Sequence, residues 1–196
     1  VARAGNVHLS SGDKVTVSFD QKGLIQVEIN EQTSGQVMDS AGNTVRDAVA
    51  NSGTIEAQEV VMSAKTVSSI FENAVNHTGI IKATAITQEG GVIRIRSNRS
   101  LQVSGTLEAP QGGVQITSGE SITVKAELNT LGNTNIMADK DIEARANIAT
   151  TDGDLALIAD ADLDGLGSFR QAIGTIIRTL NHGSIIIQSS GAGILA

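Results

Sequence analysis

A short unit recurs along most of this chain, and that repetition restricts the possible folds more than any other feature of the sequence. A turn followed by an apolar residue occurs as Asn51-Ser52-Gly53-Thr54-Ile55, Thr78-Gly79-Ile80-Ile81 and Ser104-Gly105-Thr106-Leu107, with the glycines 26 residues apart each time. A unit this short cannot bury an apolar face alone, so neighbouring units must stack on one another.

A second turn opens a short alternating strand each time it occurs. It is marked by Gly91, Gly113, Asn133, Gly153 and Gly183, at spacings of 22, 20, 20 and 30 residues. The last interval carries an insertion, DADLDGLGSFRQAIG, which places the insertion near residues 160–175.

The strands between these turns alternate apolar and polar residues. Ile93 and Ile95 share one face of their strand, and Arg94 and Arg96 share the other. Similar units follow one another without Asn-Gly hairpin signals between them, which favours parallel stacking over a sandwich. The pattern predicts an all-β chain folded as a parallel β-helix, or β-solenoid, with one buried and one solvated face per strand.

Two stretches depart from the alternation. Residues 44–50 and 66–75 place apolar side chains three and four positions apart, which predicts short helical or irregular excursions at a corner of the solenoid. Ile70, Phe71 and Val75 are expected to pack over the coil.

Composition narrows the function classes. The net charge of −7 argues against a nucleic-acid partner, which would select a basic face, and only three aromatic residues are present for base stacking. The chain has 21 glycines and no cysteine, so its stability does not depend on disulfides. Because the sequence starts at Val1 and ends within a repeat, we expect residues 1–196 to be a single solenoid segment of a longer protein.

Two longer stretches carry a family resemblance. NVHLSSGDKVTVSFDQKGLIQVEIN and DAVANSGTIEAQEVVMSAKTVSSIFENAVNHTGIIKA resemble the filamentous-haemagglutinin-like exoproteins of Gram-negative bacteria, the passengers of two-partner secretion. The resemblance covers roughly residues 6–100, so residues 1–100 resemble the secretion-domain β-helix. Residues 101–196 are similar to the generic solenoid repeats of such proteins. The family's Asn-Pro-Asn-Gly signature is absent, so transporter recognition is assigned to no residue.

The resemblance implies a right-handed parallel β-helix, export by an outer-membrane two-partner-secretion transporter, and a secreted or cell-surface location. It also implies an adhesive, non-catalytic role towards a host-cell or neighbouring-cell surface or its glycans. End-to-end self-association into a filament remains open, as does a carbohydrate-active β-helix enzyme or a stalk that delivers a toxin domain.

The acidic stretch Asp160-Ala161-Asp162-Leu163-Asp164-Gly165 has the spacing of a calcium-binding loop. Alternate carboxylates before a glycine turn can surround a hard cation, so Asp160, Asp162 and Asp164 are the candidate calcium ligands. The position of the bidentate glutamate in a helix-flanked loop is Gln171 here, and the flanks predict strands. The alternative is a solvated acidic turn in which Leu163 packs inward.

Other charged and histidine side chains give weaker predictions. Asp139, Asp141 and Glu143 alternate as carboxylates do on some polysaccharide-cleaving β-helices, although no aromatic platform for sugar rings accompanies them. Arg94, Arg96 and Arg99 form a small basic stripe, either a site for an anionic surface or a solvated face that pairs with Glu108, Glu120 and Glu127 on adjacent coils. His8, His77 and His182 are too far apart to predict a zinc site.

Overall fold

The computed structural model describes residues 2–19, 25–67, 70–83, 91–190 and 193–195, and these residues form strands and turns without a helix. The strands, in chain order, are β1 (Ala2–Ser11), β2 (Lys14–Phe19), β3 (Ile25–Glu31), β4 (Asp47–Asn51), β5 (Thr54–Ala64), β6 (Asn73–His77), β7 (Ile80–Ala83), β8 (Val92–Ser97), β9 (Leu101–Val103), β10 (Thr106–Ala109), β11 (Val114–Ser118), β12 (Ile122–Val124), β13 (Leu128–Thr130), β14 (Thr134–Ala138), β15 (Ile142–Ala144), β16 (Ile148–Thr150), β17 (Leu155–Ala159), β18 (Ser168–Gln171), β19 (Ile177–Thr179), β20 (Ile185–Gln188) and β21 (Gly193–Leu195).

These strands wind into a solenoid in which each complete coil from β6 onward contributes one strand to each of three faces. Face 1 stacks β7, β10, β13, β16 and β19, face 2 stacks β8, β11, β14, β17 and β20, and face 3 stacks β4, β6, β9, β12, β15, β18 and β21. Every pairing within the three faces is parallel. The prediction of an all-β chain with parallel stacking is therefore confirmed.

Strand β5 belongs to two faces at once. Its first part pairs with β7, from Thr54 opposite Ile80 onward, and its second part pairs with β8, from Glu59 opposite Val92 onward. Faces 1 and 2 are thus joined into one continuous sheet at the first coil.

Columns of aliphatic side chains run down the inside of the stack. Ile95, Ile116, Ile136 and Leu157 follow one another in register on face 2, and all four are completely buried. Side chains that alternate with them point outward. Because each coil fills only one layer of the core, burial depends on the coils above and below.

Glycine lines the turn before face 1 because backbones approach there too closely for a side chain. A Cβ on Gly79 would lie 2.1 Å from the Gly53 carbonyl oxygen, and one on Gly105 would lie 2.2 Å from the Gly79 oxygen. The 26-residue marker in the sequence is this column of stacked glycines.

Two of the five positions predicted for the second marker, Gly113 and Asn133, are displaced by one residue from the observed column. The column before face 2 consists of Gly91, Gly112, Gly132, Gly153 and Gly183, whereas Gly113 stacks on Asn133. Strand pairing agrees, since Val114 lies opposite Ile93 and Thr134. The Gly112-Gly113 doublet offered two candidates, and the strand register selects the first for the column.

Strands β1, β2 and β3 add a layer over the first coil. β1 pairs in parallel with β5, with Val7 opposite Val60, and so continues face 2 by one strand. β2 and β3 form an antiparallel hairpin, with Val17 opposite Val27. This hairpin is an exception to the parallel pattern that the repeats predicted.

The helical alternative predicted for residues 44–50 and 66–75 is wrong within the described residues, whereas residues 45–46 and 70–72 are irregular, as the other alternative predicted. Asp47–Asn51 is strand β4 and Asn73–His77 is strand β6, and the two pair in register on face 3. Val75 is fully buried in the core, while Ile70 and Phe71 are only partly buried. Ser68 and Ser69 lie outside the described residues.

The predicted insertion is divided into two parts by a strand. Residues 160–167 form a loop between β17 and β18, but β18 itself keeps the solenoid register, with Phe169 opposite Ile142 and completely buried. The insertion therefore widens two corners of one coil without interrupting face 3. The described residues contain no helix long and apolar enough to cross a membrane.

Candidate functional site

The acidic loop between β17 and β18 adopts an unusual backbone. Asp160 and Leu163 have positive φ angles of 56° and 60°, a region that residues other than glycine seldom enter, and Gly165 follows at 84°. The Asp160 carboxylate accepts hydrogen bonds from the Gly165 N–H, at 3.0 Å to one oxygen, and from the Ser190 hydroxyl. These bonds fold the loop back over Asp160, which is completely buried.

The loop brings the three predicted calcium ligands together. Asp160, Asp162 and Asp164 each offer a carboxylate oxygen, and these atoms all lie within 4.8 Å of one another. Calcium binds six to eight oxygens at about 2.3–2.6 Å, so two of its ligands can be separated by up to about 5 Å. The arrangement is compatible with one shared cation, and calcium binding remains a prediction. Leu163 does not pack inward as expected, because 67% of its surface is exposed.

Asp139 extends this acidic cluster, and the sequence analysis did not place it there. Burial, followed by the charges of Asp162 and Asp164, raises the pKa of Asp139 above its usual value. The hydrogen bond from Ser190, by contrast, is the leading cause that lowers the pKa of Asp160. Because Ala138 lies opposite Ala159, Asp139 occupies the same corner one coil earlier. Equivalent positions of these two coils are 21 residues apart, and this spacing alone would have placed Asp139 beside Asp160.

Two of the three carboxylates considered for polysaccharide cleavage, Asp141 and Glu143, have structural partners. Asp141 accepts hydrogen bonds from the Ser168 N–H at 3.0 Å and from its hydroxyl at 2.5 Å, and Glu143 pairs with Arg145 at 2.8 Å. Asp139 and Asp141 lie in the corner before β15 and not along a strand.

The basic stripe is only partly neutralised. Arg94 forms an ion pair with Glu59, and Arg99 forms one with Glu120 at 3.0 Å. Arg96 projects from the outer side of face 2, two residues from Arg94, and has no ion pair among the described residues. The predicted pairing with neighbouring coils thus holds for Glu120.

The two other glutamates that were expected beside the stripe behave differently. Glu108 pairs with Lys82, at 3.1 Å. Glu127 is exposed and forms no ion pair within the described ranges.

The three histidines occupy unrelated positions, and no metal-binding group in the described part of the chain includes them. His77 lies inside face 3 and is completely buried, which lowers its pKa. His182 is exposed in the turn between β19 and β20. His8 faces outward from β1 and is partly buried beneath the β2–β3 hairpin.

Comparison with known proteins gives one distant similarity. Over 122 residues, or 62% of its length, the chain is 28% identical to a heme/hemopexin-binding protein of Haemophilus influenzae. The matched part spans about 12% of that protein. No protein-family profile matches the chain, and no solved structure matches it.

Proposed function

We propose that this chain is a segment of a secreted or surface-displayed fibrous protein of a Gram-negative bacterium, exported by two-partner secretion. Its role is mechanical and adhesive, and it is non-catalytic. The observation that carries the proposal is the in-register parallel stack, whose aliphatic columns continue from coil to coil. A stack of this kind forms a stiff rod whose outer surface repeats, which suits a spacer or an adhesin.

Two further observations support this function. The sequence resembles filamentous-haemagglutinin-like exoproteins over roughly residues 6–100, and such proteins are right-handed parallel β-helices. The similarity to the Haemophilus influenzae heme/hemopexin-binding protein is also consistent with a binding role in place of a catalytic one. The proposed partners are an outer-membrane transporter and a host-cell or neighbouring-cell surface or its glycans.

End-to-end association of solenoids is part of the proposal. Strands β19 and β20 lie at the two edges of the sheet that contains faces 1 and 2, so each pairs on one side only within the described residues. Free strand edges recruit further strands, either from the same chain or from another copy.

Negative-stain electron microscopy tests this function. Native material that carries the chain should contain long fibres, and the isolated 196-residue piece should form short rods or aggregates. Compact particles in both samples would argue against a fibre, and the acidic corners should then be assayed against polysaccharides. Export is tested separately, because deletion of the partner transporter should abolish the fibres outside the cell and retain the protein inside.

The distant similarity favours a second candidate function, the binding of haem or of hemopexin. Titration with haem should then produce a shifted Soret band, and immobilised hemopexin should retain the chain. A matched solenoid of unrelated sequence serves as the control for haem adsorption to apolar surface. A Soret shift or hemopexin retention with this chain but not with the control would support this candidate. Equal responses from the two proteins would contradict it.

A further inference from the structure

A polar cavity of about 430 Å³ lies between the outer side of face 2 and the β2–β3 hairpin. Its lining includes His8 of β1, Gln26 of β3, Glu59 of β5, and Arg94 and Arg96 of β8. The register explains this convergence. His8 stands opposite Val61 and Val61 stands opposite Arg94, so three successive strands supply one wall and the hairpin supplies the other.

His8 has unsatisfied hydrogen-bonding groups in this cavity. Both ring nitrogens are shielded from solvent, and neither has a hydrogen-bond partner among the described residues. Burial lowers the pKa of His8, so the ring is neutral at pH 7 and presents one donor and one acceptor. Buried polar groups nearly always have a partner. The imidazole can therefore donate one hydrogen bond to a molecule in the cavity and accept one from it.

The charge of the cavity favours an anion. Glu59 is already engaged, since it pairs with Arg94 and accepts a hydrogen bond from the Asn6 amide at 3.1 Å. Arg94 also donates to Gln115 at 3.3 Å. Arg96 forms neither an ion pair nor a side-chain hydrogen bond within the described ranges, so one positive charge is left over.

Arg96 also borders a second cavity, of about 350 Å³, which extends under the same hairpin. Val27 and Arg96 line both cavities, so Arg96 borders both spaces. A molecule held by Arg96 therefore has room for a substituent on either side.

We propose that this cavity binds a small hydroxylated carboxylate of the sugar-acid class. The guanidinium of Arg96 pairs with the carboxylate, for which its planar fork of donors is suited. The hydroxyl groups exchange hydrogen bonds with the His8 ring, the Gln26 amide and the Glu59 carboxylate. This site goes beyond the proposed fibre function and does not depend on it, because all of its walls come from one chain.

The test is a titration with glucuronate, followed by calorimetry and by NMR of the histidine ring. Glucose, which lacks the carboxylate, and acetate, which lacks the hydroxyls, are the comparison probes. Glucuronate is expected to bind at least tenfold more tightly than either probe. It should also shift the His8 ring resonances and raise the pKa of His8, because a bound anion favours the imidazolium form.

Two variants locate the site. Arg96→Gln should weaken glucuronate binding at least tenfold, and His8→Gln should weaken it several-fold. Arg178→Gln is the matched control, because Arg178 is an exposed outward arginine of β19 on face 1 and does not line the cavity. Unchanged circular dichroism and melting temperatures establish that the variants are folded.

Three results would overturn the proposal: glucuronate without effect on His8, equal binding of acetate or glucose, or full binding by Arg96→Gln. A glucuronate-terminated disaccharide distinguishes the two sources of such a ligand. Tighter binding of the disaccharide than of glucuronate assigns the site to a glycan end, and weaker binding assigns it to the free acid.

Discussion

Asn51 and His77 lie one coil apart on face 3 and are joined by a hydrogen bond of 3.2 Å inside the solenoid. The Nε2 atom of His77 is 3.1 Å from the Thr106 carbonyl oxygen, which can only accept, so Nε2 carries the proton. The unprotonated Nδ1 then accepts from the Asn51 amide. The Asn51 side-chain oxygen Oδ1 in turn accepts from the Gly53 N–H at 3.1 Å. The chain of bonds is complete only when His77 is neutral.

Acidification should therefore weaken the fold through His77. Burial lowers the pKa of His77 in the folded state below the value of about 6.5 in the unfolded chain. Stability is thus fully present above about pH 6.5 and decreases as the pH falls towards the folded-state pKa, by at most about 1.4 kcal/mol per pH unit for one group. Urea unfolding between pH 8 and pH 5 measures this slope.

The variant His77→Gln isolates that contribution. It should flatten the pH dependence between about pH 6.5 and pH 5, although His8 retains a contribution of the same sign because burial lowers its pKa too. An unchanged slope in His77→Gln would contradict the assignment to His77.

The glycine column before face 1 should be intolerant of side chains except at its first position. Gly105→Ala places a Cβ 2.2 Å from the Gly79 carbonyl oxygen, so the backbone must shift, and we expect a loss of about 1–3 kcal/mol. Gly53→Ala is the matched control, because its Cβ would have only the Asn51 side-chain oxygen within 4 Å, at 3.9 Å. Thermal unfolding compares the two variants, and equal losses would refute the close-approach explanation.

Removal of the Phe169 ring should destabilise the widened coil. Phe169 is completely buried opposite Ile142, and truncation of such a side chain to alanine typically costs about 3–5 kcal/mol. Phe19→Ala is the control, since Phe19 is 71% exposed and its loss should change stability by less than about 0.5 kcal/mol. Chemical denaturation measures both. A small effect at Phe169 would mean that β18 is not part of the core.

Calcium should stabilise the chain if the acidic loop binds it. Because a ligand that binds only the folded state adds to stability, 5 mM calcium should raise the melting temperature above that in a chelator. Asp162→Asn combined with Asp164→Asn should remove this difference. Glu127→Gln, at an exposed glutamate outside the loop, should preserve it. Identical melting of the parent chain with calcium and with chelator would exclude the site.

The period of the sequence was sufficient to predict the parallel stack, since stacking is how short alternating units bury their apolar side. The register of the second glycine column was not predictable, because Gly112 and Gly113 both fit the pattern and only strand pairing distinguishes them. There is a physical reason why strands β4 and β6 were not predicted from the sequence. In β4 the apolar Ala48 and Ala50 face outward beside the buried Val49, and the polar Asn51 is buried, so the alternation that marks a strand is hidden there.

The functional candidates were predictable to different degrees. The spacing of Asp160, Asp162 and Asp164 is local, and the structure brings these residues together as the spacing suggested. The cavity around His8 was not predictable, because its walls come from strands separated by tens of residues and from a hairpin that the repeat did not indicate. The sequence indicated that Arg94 and Arg96 share one face of a strand, but only the hairpin above them encloses the space.

The continuity of β5 across two faces has a mechanical consequence. At the first coil, β5 pairs with both neighbouring faces and so couples them, whereas in the described part of each later coil faces 1 and 2 are formed by separate short strands. Under tension along the axis, we expect the distal coils to separate before the first coil, because no shared strand couples their faces. The first coil would then open last, and it would serve as the template on which the separated coils refold.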